Sequence, residues 1–237
     1  TGYWWMDLTD QGWFNALELV EPMRRLKAIE ERLLGADRRP FGEIALVVSQ
    51  RAMMFQAPTE GLHNAVLKMF RQWHLSRMGA PFEQITLDDL ERPDLPAYKL
   101  YIFANLFYLS AEERARLEQL LTGSGATALW IYAPGYLDDQ SASVQNMQAL
   151  TGIRFGMDES HGTINVHITN FDHPVTCRLF QGSVYGTGVD LEQYLRPPQI
   201  QYLPDMRFSP AFFAEDLDAL VLGCLEVGGN RTQKAGL

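Results

Sequence analysis

Apolar and polar residues alternate in blocks along most of this chain, and the spacing within each block indicates the element that it forms. Short apolar runs of the kind found in strands buried on both faces occupy residues 43–49 (EIALVVS), 99–104 (KLYIFA) and 127–133 (TALWIYA). Helical spacing of apolar residues marks the segments that follow them, at 60–78, 110–121 and 141–150. This alternation predicts an α/β fold with a doubly wound, mostly parallel sheet and helices on both of its faces.

The N-terminal part follows a different pattern. Residues 1–8 (TGYWWMDL) are an aromatic run with strand character, and apolar residues then recur at helical spacing over residues 13–34. Residues 36–42 (ADRRPFG) are charged and contain Pro and Gly, which is typical of a linker. We therefore predict a strand and a helix in residues 1–38 and a larger α/β domain in residues 39–237.

The last third of the chain changes character again. Short strand-like runs lie among Gly and Pro at residues 164–169, 183–185, 200–203 and 219–225, and they predict a loop-rich, partly antiparallel region. Residues 228–237 (GGNRTQKAGL) have two interpretations. They form either a solvent-exposed tail or a hairpin whose second strand is missing.

The composition narrows the classes of partner. A formal net charge of -9, with acidic and basic residues interleaved, provides no basic stripe for a nucleic acid. No apolar run reaches the ~20 residues that a membrane-spanning helix needs. Cys177 and Cys224 lie among apolar or β-branched neighbours and predict two buried free thiols, which favours a cytoplasmic location. The sequence does not decide whether a longer parent protein carries a targeting segment.

Doubly wound sheets bind ligands at the carboxyl ends of their strands, where this sequence offers little chemistry. QRAMMF (50–55) lacks the spaced glycines that let a backbone approach a phosphate, and APGY (133–136) offers neither Cys nor Ser as a nucleophile. The second strand is followed by largely apolar residues, which form either an association patch or part of the core: Phe107, Tyr108 and Leu109. We therefore predict no catalytic residue and no cofactor in this chain.

The histidines do not have the pattern of a metal site. His161, His167 and His173 are spaced six apart, and no Cys or carboxylate completes a standard ligand set around them. They are interpreted as surface or turn residues, and no metal is predicted.

The first segment is the one that suggests sugar chemistry. Trp4 and Trp5 stand beside Asp7, and Trp13 follows shortly after. Aromatic faces suit the apolar side of a pyranose, and a carboxylate accepts hydroxyl hydrogen bonds. The alternative is that these aromatic residues are the core side of a strand.

These segments resemble family 42 glycoside hydrolases and their β-galactosidase-like relatives. GYWWMD followed by GW, an amphipathic helix, an Arg-Pro linker and EIALVVSQRAMMF are similar to the junction between the catalytic barrel and the next domain of that family. YKLYIFANLFYLSAEERARLEQLLTGSGATALWIYAPG is similar to the central part of the family's trimerisation domain. The resemblance covers roughly residues 1–150, and HPVTCRLF with Leu222 and Gly223 is weakly similar beyond them.

The resemblance implies that residues 1–38 are the last strand and helix of a TIM barrel and that residues 39–237 are a flavodoxin-like, amidotransferase-like trimerisation domain. It implies a parent enzyme that hydrolyses β-galactosides or related glycosides with retention, through two glutamates on barrel strands outside this chain. The substrate-binding residues of the intact parent would then be Trp4, Trp5, Asp7 and Trp13.

Three functions compete on this basis. We favour a non-catalytic association domain that forms a homotrimer or homodimer. The second is a carbohydrate-binding module in which Trp4, Trp5 and Trp13 hold a saccharide. The third is a free-standing amidotransferase-like enzyme, which would need a reactive thiol at Cys177 or Cys224.

Overall fold

The computed structural model of this protein describes residues 17–37, 41–56, 70–71, 74–186 and 209–237. The chain divides into two compact units on either side of the Pro40–Phe41 bond, and each is described by itself.

The first unit contains one described helix, α1 (Leu17–Leu33), which lies within the predicted segment 13–34. Pro22 lies inside the helix rather than at its start, so its ring nitrogen cannot donate the usual hydrogen bond to the preceding turn. Several apolar side chains of this segment are exposed, namely Leu17, Leu26, Ile29, Leu33 and Leu34. The predicted strand over residues 1–8 lies outside the described residues.

The second unit begins with a parallel sheet of four strands: β1 (Ile44–Val48), β2 (Phe82–Thr86), β3 (Leu100–Phe103) and β4 (Thr127–Trp130). Their order is β2-β1-β3-β4, and every neighbouring pair is parallel. The chain therefore runs from β1 to one side and then crosses to the other, which is the pattern of a doubly wound sheet.

Alternate residues of the central strand β1 supply two cores. Ala45 and Val47 pack on one face with Leu117 of the helix that follows β3. Leu46 packs on the opposite face against Leu75, in a 3-10 turn at Leu75–Arg77. Because both faces are covered, β1 has an uninterrupted apolar sequence rather than an alternating one.

Two helices of this unit have clear sequence signals at their ends. α2 (Ala111–Ser124) starts with a capping box in which Ser110 and Glu113 exchange side-chain to backbone hydrogen bonds. It continues past residue 121, where the predicted segment ends, and stops at Ser124 before Gly125, whose φ of 64° is left-handed. α3 (Val144–Thr151) is capped by the Ser143 side chain. Most of the predicted helix 60–78 lies outside the described residues.

The edge strand β2 was not predicted. Its sequence, FEQIT, places polar side chains on much of its length, and Ile85 is its one buried residue. Among the described strands it pairs with β1 alone. An edge strand needs less apolar sequence than a central one, so the apolar-run signal is weak here.

The rest of the second unit is a six-stranded antiparallel sheet in the order β5-β8-β10-β9-β6-β7. Its strands are β5 (Phe155–Asp158), β6 (Ile164–Ile168), β7 (Val184–Gly186), β8 (Ala211–Ala214), β9 (Gly223–Val227) and β10 (Asn230–Ala235). The expectation of one mostly parallel sheet is therefore right only for residues 44–130. The antiparallel part is larger than the sequence predicted, because its short strands carry few apolar runs.

The C-terminal residues form a complete hairpin. β9 and β10 pair through a turn at Gly228 and Gly229, both with positive φ, as a tight hairpin turn requires. β10 is thus the second strand, and both earlier interpretations, an exposed tail and a hairpin lacking its partner, are wrong. The signal that identifies it is the Gly-Gly pair after an apolar run.

Candidate functional site

The place to expect a ligand in the parallel sheet is the crevice between the carboxyl ends of β1 and β3, where the chain reverses direction across the sheet. Two buried polar residues, Ser49 and Asn105, fill this position. The Ser49 backbone N–H donates to Asn105 Oδ1 (2.8 Å), and Asn105 Nδ2 donates to the Ser49 carbonyl (2.8 Å). The Ser49 hydroxyl accepts from the Ala52 N–H at 3.0 Å. These polar groups therefore bind each other and hold the two strand ends together.

A group of aromatic and charged side chains lies beside this pair and is called the tip cluster: Arg51, Phe55, Tyr108 and Asp139. The Phe55 ring stacks on the buried Tyr108 ring with centroids 4.3 Å apart. Arg51 lies over the same Tyr108 ring at 4.7 Å, and its Nη2 is 3.7 Å from Asp139 Oδ1. The Tyr108 hydroxyl donates to Asp139 Oδ1 at 2.6 Å, and this hydrogen bond raises the pKa of Tyr108. Tyr108 is therefore a neutral hydrogen-bond donor at neutral pH.

The end of β4 has the strained backbone that α/β hydrolases use to present a nucleophile, but the residue there is a tyrosine. Tyr132 has a φ of 67° and is the one non-glycine residue with positive φ in the described ranges. Its hydroxyl donates to the Pro210 carbonyl at 2.6 Å, and its ring meets Phe212 edge-on at 5.4 Å. Burial raises the pKa of Tyr132, so a nucleophilic phenolate does not form at neutral pH. Tyr132 instead joins the two sheets.

The loops after β3 and β4 are fixed by one arginine. The Arg114 guanidinium donates to the carbonyls of Leu109 (3.3 Å), Leu137 (3.2 Å), Gly135 (2.5 Å) and Asn146 (2.9 Å). Gly135 has a φ of 61°, and a Cβ at this position would lie 2.9 Å from Arg114 Nη1. Arg114 thus ties both loops to α2 through their backbone carbonyls.

A second polar group lies on the antiparallel sheet and is called the His–Glu cluster: Asn165, His167 and Glu226. His167 Nε2 is 2.8 Å from Glu226 Oε2, and Asn165 Nδ2 donates to Glu226 Oε1 at 2.8 Å. The hydrogen bonds from Asn165 and His167 lower the pKa of Glu226. Cys224 is the cross-strand partner of His167, but its sulfur lies 4.0 Å from the Thr169 hydroxyl while Glu226 holds the imidazole Nε2. The arrangement does not pair a thiol with a base.

Comparison with solved structures gives matches among β-galactosidases. The chain aligns over 90% of its length with Gan42B, a GH42 β-galactosidase from G. stearothermophilus, at 19% identity and a TM-score of 0.51. The chain spans 29% of that relative's length. The chain shares the fold of part of a GH42 β-galactosidase.

Other solved structures match less well. A β-galactosidase from Bifidobacterium adolescentis aligns over 76% of this chain and 94% of its own, at 16% identity and a TM-score of 0.35. A ThuA-like protein from Bacteroides uniformis aligns over 81% of this chain and 71% of its own length, at 16% identity and a TM-score of 0.45. Comparison of the sequence with family models gives no match, and comparison with curated proteins gives none.

The predicted saccharide-binding residues lie outside the described part of the chain: Trp4, Trp5, Asp7 and Trp13. Their role therefore stays a prediction. The described ranges contain no grouping of three His, Cys, Asp or Glu residues suited to a metal ion. They also contain no helix with the length and apolar character needed to cross a bilayer.

The structure decides between the two interpretations of the residues after β3. Phe107, Tyr108 and Leu109 are all buried, so they are part of the core and do not form an association patch. The expectation of two buried thiols is wrong for one cysteine. Both cysteines are free, but Cys177 is exposed, because it lies in the loop between β6 and β7 rather than in a strand. The sequence also missed the tip cluster and the His–Glu cluster, since each joins residues far apart along the chain.

Proposed function

We propose that this chain is a non-catalytic self-association domain, together with a short barrel segment, of a β-galactosidase-like glycoside hydrolase, and that it forms a homotrimer or homodimer. The observation that carries the proposal is that the polar residues at the carboxyl ends of β1 and β3 are hydrogen-bonded to each other. Ser49 and Asn105 satisfy each other where relatives of this architecture bind ligands, and the strained residue after β4 is Tyr132 rather than a nucleophile.

The strand order supports a flavodoxin-like fold for the second unit. β2-β1-β3-β4 matches the first four positions of the flavodoxin-like order 2-1-3-4-5. The fold shared with part of Gan42B supports a glycoside hydrolase as the parent, and we infer that most of its catalytic barrel lies outside this chain.

The exposed apolar residues of α1 fit a helix that packs on a barrel. On this proposal residues 1–38 are the last barrel strand and helix. Trp4, Trp5, Asp7 and Trp13 then bind the substrate of the intact parent, and the catalytic glutamates lie outside this chain.

The proposal is tested by measuring mass and turnover on the same preparation. Light scattering after size exclusion should give the mass of two or three chains, and incubation with 4-nitrophenyl β-galactoside should release no nitrophenol. A monomer at every accessible concentration would contradict the association role, and hydrolysis that increases with protein concentration would contradict the non-catalytic role.

A further inference from the structure

We propose that Tyr132 is a strained latch through which the antiparallel sheet holds the loop after β4 (residues 131–143) against the tip cluster. When the antiparallel sheet separates from Tyr132, the backbone at this residue relaxes to a negative φ and the loop leaves the tip cluster. The latch does not depend on self-association, so a chain that stays monomeric would contradict the proposed function and leave the latch untouched.

The strain lies in the backbone of Tyr132. Its φ of 67° is in the left-handed region, where the Cβ of an L-residue comes close to the following carbonyl oxygen. Glycine occupies this region readily and asparagine tolerates it, whereas a bulky residue stays there only where the surrounding structure holds it. Contacts made by Tyr132 must therefore offset the cost of its own conformation.

Two constraints meet at this residue. On the side of the parallel sheet, the Ile131 N–H donates to the Phe103 carbonyl at 3.0 Å, which fixes the chain to β3 up to Tyr132. On the other side, the Tyr132 hydroxyl donates to the Pro210 carbonyl at 2.6 Å, and its ring meets Phe212 at 5.4 Å. Pro210 directly precedes β8 and Phe212 lies in it, so the ring is bound to a strand of the antiparallel sheet. The positive φ lets the chain satisfy both constraints.

The residues after Tyr132 hold the tip of the parallel sheet. Ala133 is buried and packs with Tyr108 of the tip cluster. The N–H groups of Gly135 and Leu137 donate to carbonyls of the segment that follows β3, at 2.6 and 2.7 Å. Because the direction of the chain after Tyr132 depends on its φ, relaxation of this one angle moves both N–H groups away from their carbonyls.

Tyr136 provides a matched control for Tyr132. Its ring also contacts Phe212, with centroids 4.9 Å apart, and its hydroxyl lies 3.6 Å from Met157 Sδ on β5. Tyr136 therefore joins the same two sheets, but its φ is not positive. Removal of its hydroxyl takes away a contact between the sheets without affecting a strained residue.

The first experiment compares Tyr132→Phe with Tyr136→Phe in the full chain by residue-resolved hydrogen exchange. Tyr132→Phe keeps the ring and the strain but loses the hydrogen bond to Pro210, so the Gly135 and Leu137 amides should exchange about tenfold faster. The amides of β1 and β3 should keep their wild-type rates. Tyr136→Phe should change the two loop amides by no more than about twofold.

The second experiment separates the strain from the contact. Tyr132→Asn loses both the ring and the bond to Pro210, but asparagine tolerates a positive φ, so the Gly135 and Leu137 amides should stay within about twofold of wild type. A role in packing alone predicts the opposite order, because asparagine removes more contacts than phenylalanine. Circular dichroism and thermal melts check that each variant is folded.

The order of the two Tyr132 variants decides the outcome. Faster exchange of the loop amides in Tyr132→Phe than in Tyr132→Asn supports the latch. Equal or faster exchange in Tyr132→Asn overturns it, as does a Tyr132→Asn chain that does not fold, because packing rather than strain then holds the loop. Wild-type rates in Tyr132→Phe also overturn it, and so does an equal acceleration of the β1 and β3 amides, which reports a loss of global stability.

Discussion

The polar residues of the parallel and antiparallel sheets in the second unit differ in burial and in charge. At the ends of β1 and β3, Ser49 and Asn105 are neutral, buried and bound to each other. On the antiparallel sheet, Glu226 is charged and partly exposed, and it is held by the partly exposed His167 and the buried Asn165. A parallel sheet covered on both faces has to pair its polar groups internally, whereas an antiparallel sheet can keep one face near water. The first arrangement should therefore set stability, and the second should make stability depend on pH.

The largest effect is expected at Asn105. Asn105→Leu keeps the branching of the side chain but leaves the Ser49 N–H and carbonyl buried without partners, so the free energy of unfolding should fall by about 3 kcal/mol. Urea denaturation measures the change. Gln119→Leu, at an exposed position of α2, makes the same chemical change and should stay within about 0.5 kcal/mol of wild type. A loss at Asn105 no larger than that at Gln119 would show that the strand ends are not held by this pair.

A smaller effect is expected at Gly135. Gly135→Ala combines an unfavourable φ with a Cβ 2.9 Å from both Arg114 and Leu150, and should destabilise the fold by about 2 kcal/mol. Gly125→Ala is the control, since its φ is also positive but nothing lies within 4 Å of the added Cβ. It should cost about 1 kcal/mol. Equal losses in the two variants would mean that Arg114 does not constrain the loop after β4.

The sequence predicted three of the four strands of the parallel sheet. β1, β3 and β4 were anticipated because they are apolar runs, and the start of α2 because Ser110 and Glu113 form a local motif. β2 and β5 were missed, since neither is a continuous apolar run. Local pattern identifies an element where its own residues form an apolar run or a capping motif.

The candidate sites were much less predictable, because their partners are distant in the sequence. Asn105 lies in a largely apolar segment, and nothing near it in the sequence indicates Ser49 as its partner. Glu226 and His167 meet only because β6 and β9 are neighbours in the sheet. Tyr132 illustrates a further limit, since no sequence pattern indicates that its backbone adopts a positive φ.

The smallest effect is expected at Glu226, and it depends on pH. Because its pKa is lowered in the folded state, Glu226 stabilises the fold above the unfolded pKa near 4.5, and this stabilisation is lost as the pH falls through the folded pKa. Glu226→Gln should cost about 1 kcal/mol at neutral pH and little in acid. Chemical denaturation at several pH values measures the slope, and Glu118→Gln on the exposed face of α2 is the control. A variant that keeps the wild-type pH slope would exclude Glu226 as its source.

The most direct test of the account is the molecular mass of the wild-type chain by sedimentation equilibrium, from low to high micromolar concentration. If this chain is a self-association domain, the mass should rise with concentration to that of a dimer or trimer and stay there. A mass equal to one chain across the whole range would contradict the central claim.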